Sequence, residues 1–217
     1  LSLGDIAQHL DETYHNPVNR STVYRWIIKY TTEAINIFES SKPIVSDTWI
    51  VDETVIKIDG GNIWFWDVID EKTRFLLASR ISKSRTISDA KVVIERAYRK
   101  AGKAPHFILS DGLPAYIEAI ERVFGAESHH IRIKGITSEI NTNIIERFHG
   151  TLKERVKVLR GFKSIVNADL LLDGFLINYN FFRPHMSLND KTPAEVAGLK
   201  VTIKNWTELI RKVGMIQ

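Results

Sequence analysis

Cysteine is absent from the 217-residue sequence, and its absence excludes two kinds of protein. Without thiols the chain has neither disulfides nor thiolate zinc sites, so a bound metal would have to use oxygen ligands, with or without histidine. Long apolar runs are also missing. None approaches the roughly 20 residues that a membrane-spanning helix needs, and no segment resembles a signal peptide. We therefore expect a soluble, cytoplasmic protein with no membrane partner.

The composition that remains is that of a globular protein. Hydrophobic residues make up 44% of the chain and charged residues 26%, which is the balance of a folded domain with a real core. The length suits one compact domain and a small appendage. Because the chain begins at Leu1 and not at Met, we expect that the natural N-terminus is missing or trimmed.

Positive charge is concentrated in one segment. Between Arg147 and Lys163 there are six Lys and Arg residues against the single acid Glu154, a local charge of +5, so the rest of the chain carries about −1 of the net +4. Such a run is either a solvated helix face or a footprint for nucleic acid, and the charge alone leaves both readings open.

The N-terminal segment predicts two short helices separated by a connection that contains proline. Ser2 and Asp5 form a capping-box pattern at the start of the first helix. The second helix begins near residues 19–21 and has a polar side that could reach phosphates and base edges, made of Arg20, Thr22, Arg25 and Lys29. This pattern is typical of a helix-turn-helix that enters the major groove. The connection is longer than the usual tight turn, so a plain helical hairpin is the alternative.

Residues 45–200 predict an α/β fold. Three β-rich runs joined by short turns indicate an antiparallel meander, and an alternation of helix and strand then extends it. The expected strands are 47–59, 62–70, 73–82, a run ending at Asp111, and 128–133; the expected helices are 87–101, 113–124 and 143–158. Together they predict a mixed five-stranded sheet with helices on its faces.

Two carboxylates stand where solvation does not explain them. Asp52 interrupts the middle of the first strand, where an unpaired charge is costly. Asp111 stands at the end of the fourth strand, where α/β sheets present ligand groups. Each also has a structural reading: Asp52 at an exposed sheet edge, Asp111 as the cap of the next helix. Glu53 should face the opposite side from Asp52 by strand alternation, and Asp67 and Asp70, which lie toward turns, should be solvated or capping.

Glu146, on the helix that opens the basic segment, is a third acid able to converge with Asp52 and Asp111. Three such charges do not stay together without cations. Oxygen ligands favour Mg²⁺ or Mn²⁺, and two such ions stabilise the attacking and leaving oxygens of phosphoryl transfer. Helix periodicity places His149 and Lys153 on the face of Glu146. We therefore expect His149, Lys153, Arg155 and Lys157 to contact nucleic acid beside a catalytic and metal-binding triad.

The motifs "WIVDET", "ILSDG" and "NTNIIERFHGTLKER", with "YNFFRPHMSLNDKTPAEVAG" further on, resemble those of DDE transposases of the retroviral-integrase superfamily. The resemblance is strongest to the prokaryotic insertion-sequence transposases of family six. It implies a ribonuclease H-like fold, a metal-activated water that nicks donor DNA, and attack of the freed 3′-OH on target DNA. Asp52 and Asp111 would hold the metals, and Glu146 would complete the second site.

The same resemblance implies an organisation and partners. Residues 1–40 would be a helix-turn-helix that recognises the terminal inverted repeats, residues 45–200 the catalytic domain, and residues 201–217 a C-terminal tail. The partners would be double-stranded DNA, at the element ends and at the target, and further copies of the chain, in the nucleoid of a prokaryote. The rivals are a ribonuclease H-type nuclease acting on RNA:DNA hybrids and a remnant DNA-binding protein that no longer cuts.

Overall fold

A computed structural model describes residues 2–58, 60–132, 143–157 and 165–215, without the side chains of Arg155 and of residues 165–167. The helices are α1 (Leu3–Tyr14), α2 (Arg20–Phe38), α3 (Ile87–Ala101), α4 (Pro114–Phe124), α5 (Asn143–Val156), α6 (Ile165–Ile177), α7 (Pro193–Val196) and α8 (Trp206–Gly214). The strands are β1 (Thr48–Ile58), β2 (Gly61–Asp70), β3 (Leu76–Ser82), β4 (Phe107–Ser110) and β5 (His129–Arg132). The predicted ends at Asp59, Ile133 and Val158 lie outside the described residues.

The five strands form one mixed sheet in the order β3-β2-β1-β4-β5. β1, β2 and β3 pair antiparallel, as the short turns between them require, whereas β4 pairs parallel to β1 and β5 parallel to β4. The parallel pairs need helical crossovers, which α3 and α4 supply. The predicted five-stranded α/β fold is therefore confirmed, and its element order is that of the ribonuclease H-like fold.

Alternation along β1 divides the core into two layers. Trp49 and Val51 belong to a layer covered by α3 and α4, while Ile50 and Ile56 belong to a layer covered by α5. α5 buries an apolar stripe of Ile145, Phe148, Leu152 and Val156 against that second face. Because successive side chains of a strand point to opposite faces, Asp52 shares the α5 face with Ile50.

The N-terminal helices form as the sequence predicts. The capping box of Ser2 and Asp5 is present at the start of α1, and Asn19 caps α2 through a hydrogen bond from the backbone N–H of Ser21. α2 is longer than the sequence suggests, and its inner side packs against α6 and α8. Val23 and Ala34 are buried there, so this helix is part of the main body and not a free appendage.

Two lysines join the end of α2 to the end of α3. The ammonium group of Lys100 donates to the carbonyl oxygens of Phe38 and Glu39 at 3.1 and 3.0 Å. Lys42, just beyond α2, donates in turn to the carbonyl of Arg99 at 2.8 Å. Each cation thus satisfies backbone acceptors that a helix end leaves unpaired, and each opposes the negative end of the helix dipole.

The C-terminal residues 201–217, expected to form a tail, contain α8. Asn205 caps this helix by accepting from the N–H of Glu208, and Leu209 and Val213 are buried beneath it. The apolar spacing of these two residues follows helix periodicity, a signal present in the sequence. In the described part of the chain no helix combines the length and the apolar character that membrane crossing demands.

Close packing between α2 and α6 predicts that Gly174→Ala destabilises the protein. A Cβ added at Gly174 would lie 2.9 Å from the Thr31 hydroxyl oxygen and 3.2 Å from its methyl carbon, and Thr31 is itself buried. We expect a loss of roughly 1–3 kcal/mol from this overpacking, measured by urea unfolding. Gly150→Ala is the matched control, because nothing lies within 4 Å of its added Cβ. It should instead stabilise α5 by about 0.5–1 kcal/mol, and equal effects of the two changes would contradict the packing.

Candidate active site

The site lies at the end of β4, where the parallel strands β1 and β4 run side by side. The register pairs Thr48 with Phe107 and Ile50 with Leu109. Continuing this register by two residues brings Asp111 opposite Asp52. Both residues lie on the face of the sheet that carries Ile50 and Leu109, since each is two residues further along its strand.

The carboxylates of Asp52, Glu53 and Asp111 can place one oxygen each within 4.8 Å of the others. Three oxygens at this spacing fit a hard divalent cation, which takes carboxylate ligands in proteins. The group brings together two of the three predicted acids. Among the described residues, Glu53 takes the third place in this group, although strand alternation predicts that its side chain points to the opposite face.

The contacts of Glu53 explain its position. Its Oε2 accepts a hydrogen bond from the hydroxyl of Tyr116, which belongs to α4 on the opposite face, and its Oε1 is ion-paired with Arg85. Glu53 therefore points to that opposite face, as predicted, yet one oxygen remains near Asp52. Burial and the negative charge of Glu53 raise the pKa of Tyr116 well above its usual range, which keeps the hydroxyl a hydrogen-bond donor.

Asp52 is the most electrostatically strained of these acids. Burial raises the pKa of its carboxyl to about 7; His149 opposes this shift, while Asp67 and Glu53 add to it. Because burial disfavours the charged form of this carboxyl, a cation bound nearby would stabilise the ionised carboxylate. The side chain is 21% exposed, so it can still reach a ligand from solvent. The alternative reading of Asp52 as an exposed edge residue is wrong, because β1 is the central strand of the sheet.

Asp111 is exposed, and it also acts as a local cap, which is the alternative prediction for this residue. Its Oδ1 accepts a hydrogen bond from the N–H of Leu113 at 3.0 Å, just before α4. The intervening Gly112 has a φ of +88°, and a side chain there would overlap Arg132 of β5. Glycine is therefore required at this turn, and it lets the chain leave β4 with Asp111 facing the site.

The structure buries His149 between two aspartates. Expected to contact nucleic acid, it is only 6% exposed, and its Nε2 lies 2.7 Å from Oδ1 of Asp67 while its Nδ1 lies 3.6 Å from Oδ2 of Asp52. Burial lowers the pKa of His149, but the charges of Asp67 and Asp52 outweigh burial and raise it. The prediction that Asp67 is solvated or capping is wrong, because its side chain is fully buried in the middle of β2. Asp70, in contrast, accepts from Thr73 and Ser46 and caps the β2–β3 turn.

Glu146 lies one helical turn before His149 on α5. Residues three apart share a helix face, so the contact of His149 with Asp52 orients Glu146 toward the same edge of the sheet. Glu146 is exposed in the first turn of α5. It does not belong to the described group of oxygens within 4.8 Å. The structure thus brings Asp52 and Asp111 together, and Glu146 lies outside that group.

The predicted DNA-contact residues fall on two surfaces. Lys153 and Lys157 are exposed on and just after α5, whereas the side chain of Arg155 lies outside the described residues. On α2, Arg20 and Arg25 are exposed, and Arg25 donates to the hydroxyl of Thr22 at 3.2 Å. The ammonium of Lys29 lies 5.7 Å from the ring centroid of Tyr30.

Arg85 is a basic residue at the site that the sequence pattern did not single out. It follows β3, pairs with Glu53, and stacks on Trp64 with its guanidinium carbon 4.6 Å from the ring centroid. Its side chain is 37% exposed. No periodic signal marks an arginine in a loop, although "SKSRTIS" concentrates positive charge between β3 and α3.

The sequence is similar to those of known transposases. Residues 46–185, well over half of the chain, match the family of DDE domains named DDE_Tnp_IS240. The transposase for the insertion sequence-like element IS431mec of Staphylococcus aureus is 30% identical over 186 residues, which cover 84% of this chain and 79% of that protein. The transposase for insertion sequence element IS257 in transposon Tn4003, from the same species, is 29% identical with the same coverage.

Solved structures share the fold at lower identity. The HTLV-2 integrase catalytic core domain, in complex with magnesium and in a dimeric form, aligns with a TM-score of 0.54 and 17% identity over 72% of this chain and 97% of that one. The catalytic core domain of BIV integrase aligns with a TM-score of 0.51 and 19% identity over 79% and 99% of the two chains. The sheet order and the flanking helices are therefore those of retroviral integrase cores.

Proposed function

The chain belongs to the DDE transposases of insertion sequences, and from that premise we propose that Asp52, Asp111 and Glu146 are its three catalytic carboxylates. Family membership makes the protein a metal-dependent polynucleotidyl transferase that acts on DNA. The observation that carries the residue assignment is the convergence of Asp52 and Asp111 from adjacent parallel strands. Glu146 completes the set because α5 packs on β1 with its next turn in contact with Asp52.

The donor set fits a divalent cation. Every ligand atom in the group of Asp52, Glu53 and Asp111 is a carboxylate oxygen. Burial raises the pKa of Asp52, so its ionised form would gain from a bound cation. Asp52 and Asp111 would hold Mg²⁺ or Mn²⁺, with Glu146 completing a second ion's site. When bound, such ions activate water and stabilise the attacking and leaving oxygens of an in-line displacement at phosphorus. The magnesium in the HTLV-2 core supports this assignment by likeness of fold.

The remaining residues of the site bind and orient DNA. Lys153 lies two turns after Glu146 on the exposed side of α5 and contacts a phosphate flanking the scissile bond. Lys157 extends that positive track, and we assign Arg155, whose side chain lies outside the described residues, to the same segment. Arg85 adds a planar guanidinium at the opposite border, suited to a phosphate oxygen. Asp52 is held between β2 and α5, so the cleaved strand approaches from the side of Asp111, which is exposed.

The exposed side of α2 provides the second DNA surface. Arg20, Thr22, Arg25 and Lys29 lie on the helix that follows the Pro-bearing turn, where Arg20 and Arg25 are exposed. We assign residues 1–40 to recognition of the terminal inverted repeats. Residues 45–200 then carry the catalysis, with α8 supporting α2 from residues 201–217. Two ends must be brought together before they join a target, so at least two copies of the chain act on the DNA. The dimeric form of the HTLV-2 core is consistent with that arrangement.

The test is an assay of the purified protein with labelled double-stranded DNA carrying the ends of its own element, supplied with Mn²⁺. We expect nicking at the element end followed by joining of the free 3′-OH to a target duplex. Hydrolysis confined to RNA:DNA hybrids would instead identify a nuclease, and binding without any cleavage would identify a remnant. Omission of Mn²⁺ and Mg²⁺ should stop both steps while leaving DNA binding in place.

Lys153→Ala should weaken DNA binding for all sequences alike. One lost phosphate contact lowers the slope of log affinity against log salt concentration by roughly one unit. The measurement is fluorescence anisotropy over a salt series. Lys91→Ala is the matched control, since Lys91 pairs with Glu95 on α3, which covers the other face of the sheet. Equal slopes for Lys153→Ala and the wild type would remove Lys153 from the DNA surface.

A further inference from the structure

Asp67 and His149 form a buried polar contact that lowers the stability of the fold and has no assigned role in the proposed catalytic triad. Asp67 lies directly opposite Asp52 in the β1–β2 register, so both face α5. Its side chain has no exposed surface. One oxygen binds the imidazole of His149 at 2.7 Å, and in the described part of the chain the other oxygen has no hydrogen-bond partner. A buried, half-satisfied carboxylate lowers stability relative to an apolar residue of the same shape.

The apolar part of the α5 interface restricts the rotation of the helix less sharply than a hydrogen bond does. Ile145, Phe148, Leu152 and Val156 make the buried contacts, and apolar contacts are not directional. A hydrogen bond requires both a distance and an angle. The bond from His149 to Asp67 ties one turn of α5 to one residue of β2, and Asp52 lies across from that residue on β1. Glu146 is on the adjacent turn of the same helix face.

We propose that Asp67 and His149 form a positioning pair that sets the rotation of α5 on the sheet and so sets the distance between Asp52 and Glu146. The proposal rests on the function proposed above for those two acids. Neither member of the pair touches DNA or the reacting atoms. The pair keeps the third carboxylate aligned with the other two before DNA arrives, which is how a supporting contact raises the rate of the chemical step.

The test compares substitutions that share one shape. Asp67→Leu replaces the carboxylate by an apolar group of similar branching, while Asp67→Asn retains an oxygen acceptor for His149. Asp67→Leu leaves the buried imidazole of His149 without its partner, so we expect it to unfold at a lower temperature than the wild type. Where it is folded, it should lose at least about 100-fold in kcat for strand transfer, with KM for DNA unchanged. Asp67→Asn should stay within tenfold of the wild type. Asp70→Asn, at another buried acid of β2, should stay within threefold.

A direct geometric readout separates this proposal from the proposed function. Because the chain has no cysteine, Glu154→Cys on α5 and Arg99→Cys on α3 give a unique pair of spin-label sites on opposite sides of the sheet. The label distance should be narrow in the wild type and in Asp67→Asn, and shifted or broadened in Asp67→Leu. If Asp67→Leu does not fold, His149→Phe and His149→Gln provide the same comparison, with Gln keeping a donor for Asp67.

Each outcome decides the proposal. A folded Asp67→Leu or His149→Phe protein with an unchanged label distance and wild-type kcat overturns the positioning pair, whatever the triad does. An altered distance with lost activity supports it. Should the wild type show no metal-dependent cleavage at all, the proposed function fails, but the label distances still report whether the pair sets the rotation of α5.

Discussion

Asp52→Asn and Asp111→Asn should each abolish cleavage and strand transfer while leaving DNA binding intact. Asparagine keeps the shape of the side chain and removes the charge that a divalent cation requires. We expect losses of about 10³-fold or more in the cleavage rate, which corresponds to about 4 kcal/mol of transition-state stabilisation. Glu146→Gln should behave in the same way. The rates are measured under single-turnover conditions with Mn²⁺, and binding is measured separately by anisotropy.

The burial of Asp52 provides a second readout for this prediction. Since its carboxyl is held in a site that disfavours its charged form, Asp52→Asn should not lower the unfolding temperature and should reduce Mn²⁺ binding in calorimetry. Asp47→Asn is the matched control, because Asp47 lies just before β1 and pairs with Lys103 at the surface. A variant of Asp52, Asp111 or Glu146 that cleaves at close to the wild-type rate would remove that residue from the catalytic set.

Asp173→Asn should raise the stability of the protein at neutral and alkaline pH. Asp173 lies on α6 beside a cavity of about 200 Å³ that is also lined by Lys100 and Glu39. Burial raises the pKa of its carboxyl to about 7; Asp169 adds to the shift, and Arg96 opposes it. The folded protein therefore holds this proton more tightly than the unfolded chain, whose Asp has a pKa near 3.9, so stability falls as pH rises from about 4 to 7.

The size of this effect follows from linkage. A shift of about three pKa units corresponds to at most about 4 kcal/mol at pH 7.5, and we expect roughly 2–4 kcal/mol, or a rise of about 5 °C or more in Tm. The gain should shrink steadily as pH falls from about 7 toward about 3, because below both pKa values the wild-type carboxyl is protonated in the folded and in the unfolded state. Glu71→Gln, at an exposed acid, gives the background for one lost surface charge. A gain that did not vary with pH would exclude burial of the charged form as its cause.

Much of the architecture could be predicted from local patterns. The meander follows from three β-rich runs with short turns, and the crossover helices follow from their apolar spacing and caps, as at Thr86 and Gly102 of α3. Asp52 could be chosen because a charge in the middle of a strand is costly, and Asp111 because it stands where a strand ends. These signals are local in sequence. The order of the sheet then follows because strands joined by short turns pair antiparallel and strands joined through a helix pair parallel.

The contacts that cross between elements could not be predicted in this way. Asp67 lies three residues before the end of β2 at Asp70, so its sequence position resembles that of an ordinary acid near a turn. No residue near it in the sequence predicts its contact with a histidine 82 residues later. His149 shares a helix face with Glu146, a pattern that gave no indication of the burial of the imidazole. Glu53 pairs with Arg85 and Tyr116 from two other elements. Such partners are set by tertiary packing, which periodicity does not encode.

The reciprocal lysine contacts between α2 and α3 have a consequence for the geometry of the substrate. Lys100 and Lys42 tie the end of α2 to the helix that covers one face of the sheet, and Thr31 against Gly174 ties its middle to α6. Under the proposed assignment of α2 to DNA recognition, a duplex bound by the outer side of α2 would lie at a fixed distance from the scissile phosphate. The number of base pairs separating the recognised sequence from the cut would then be a property of the folded chain, and inserting half a helical turn between them would turn the phosphate away from Asp52.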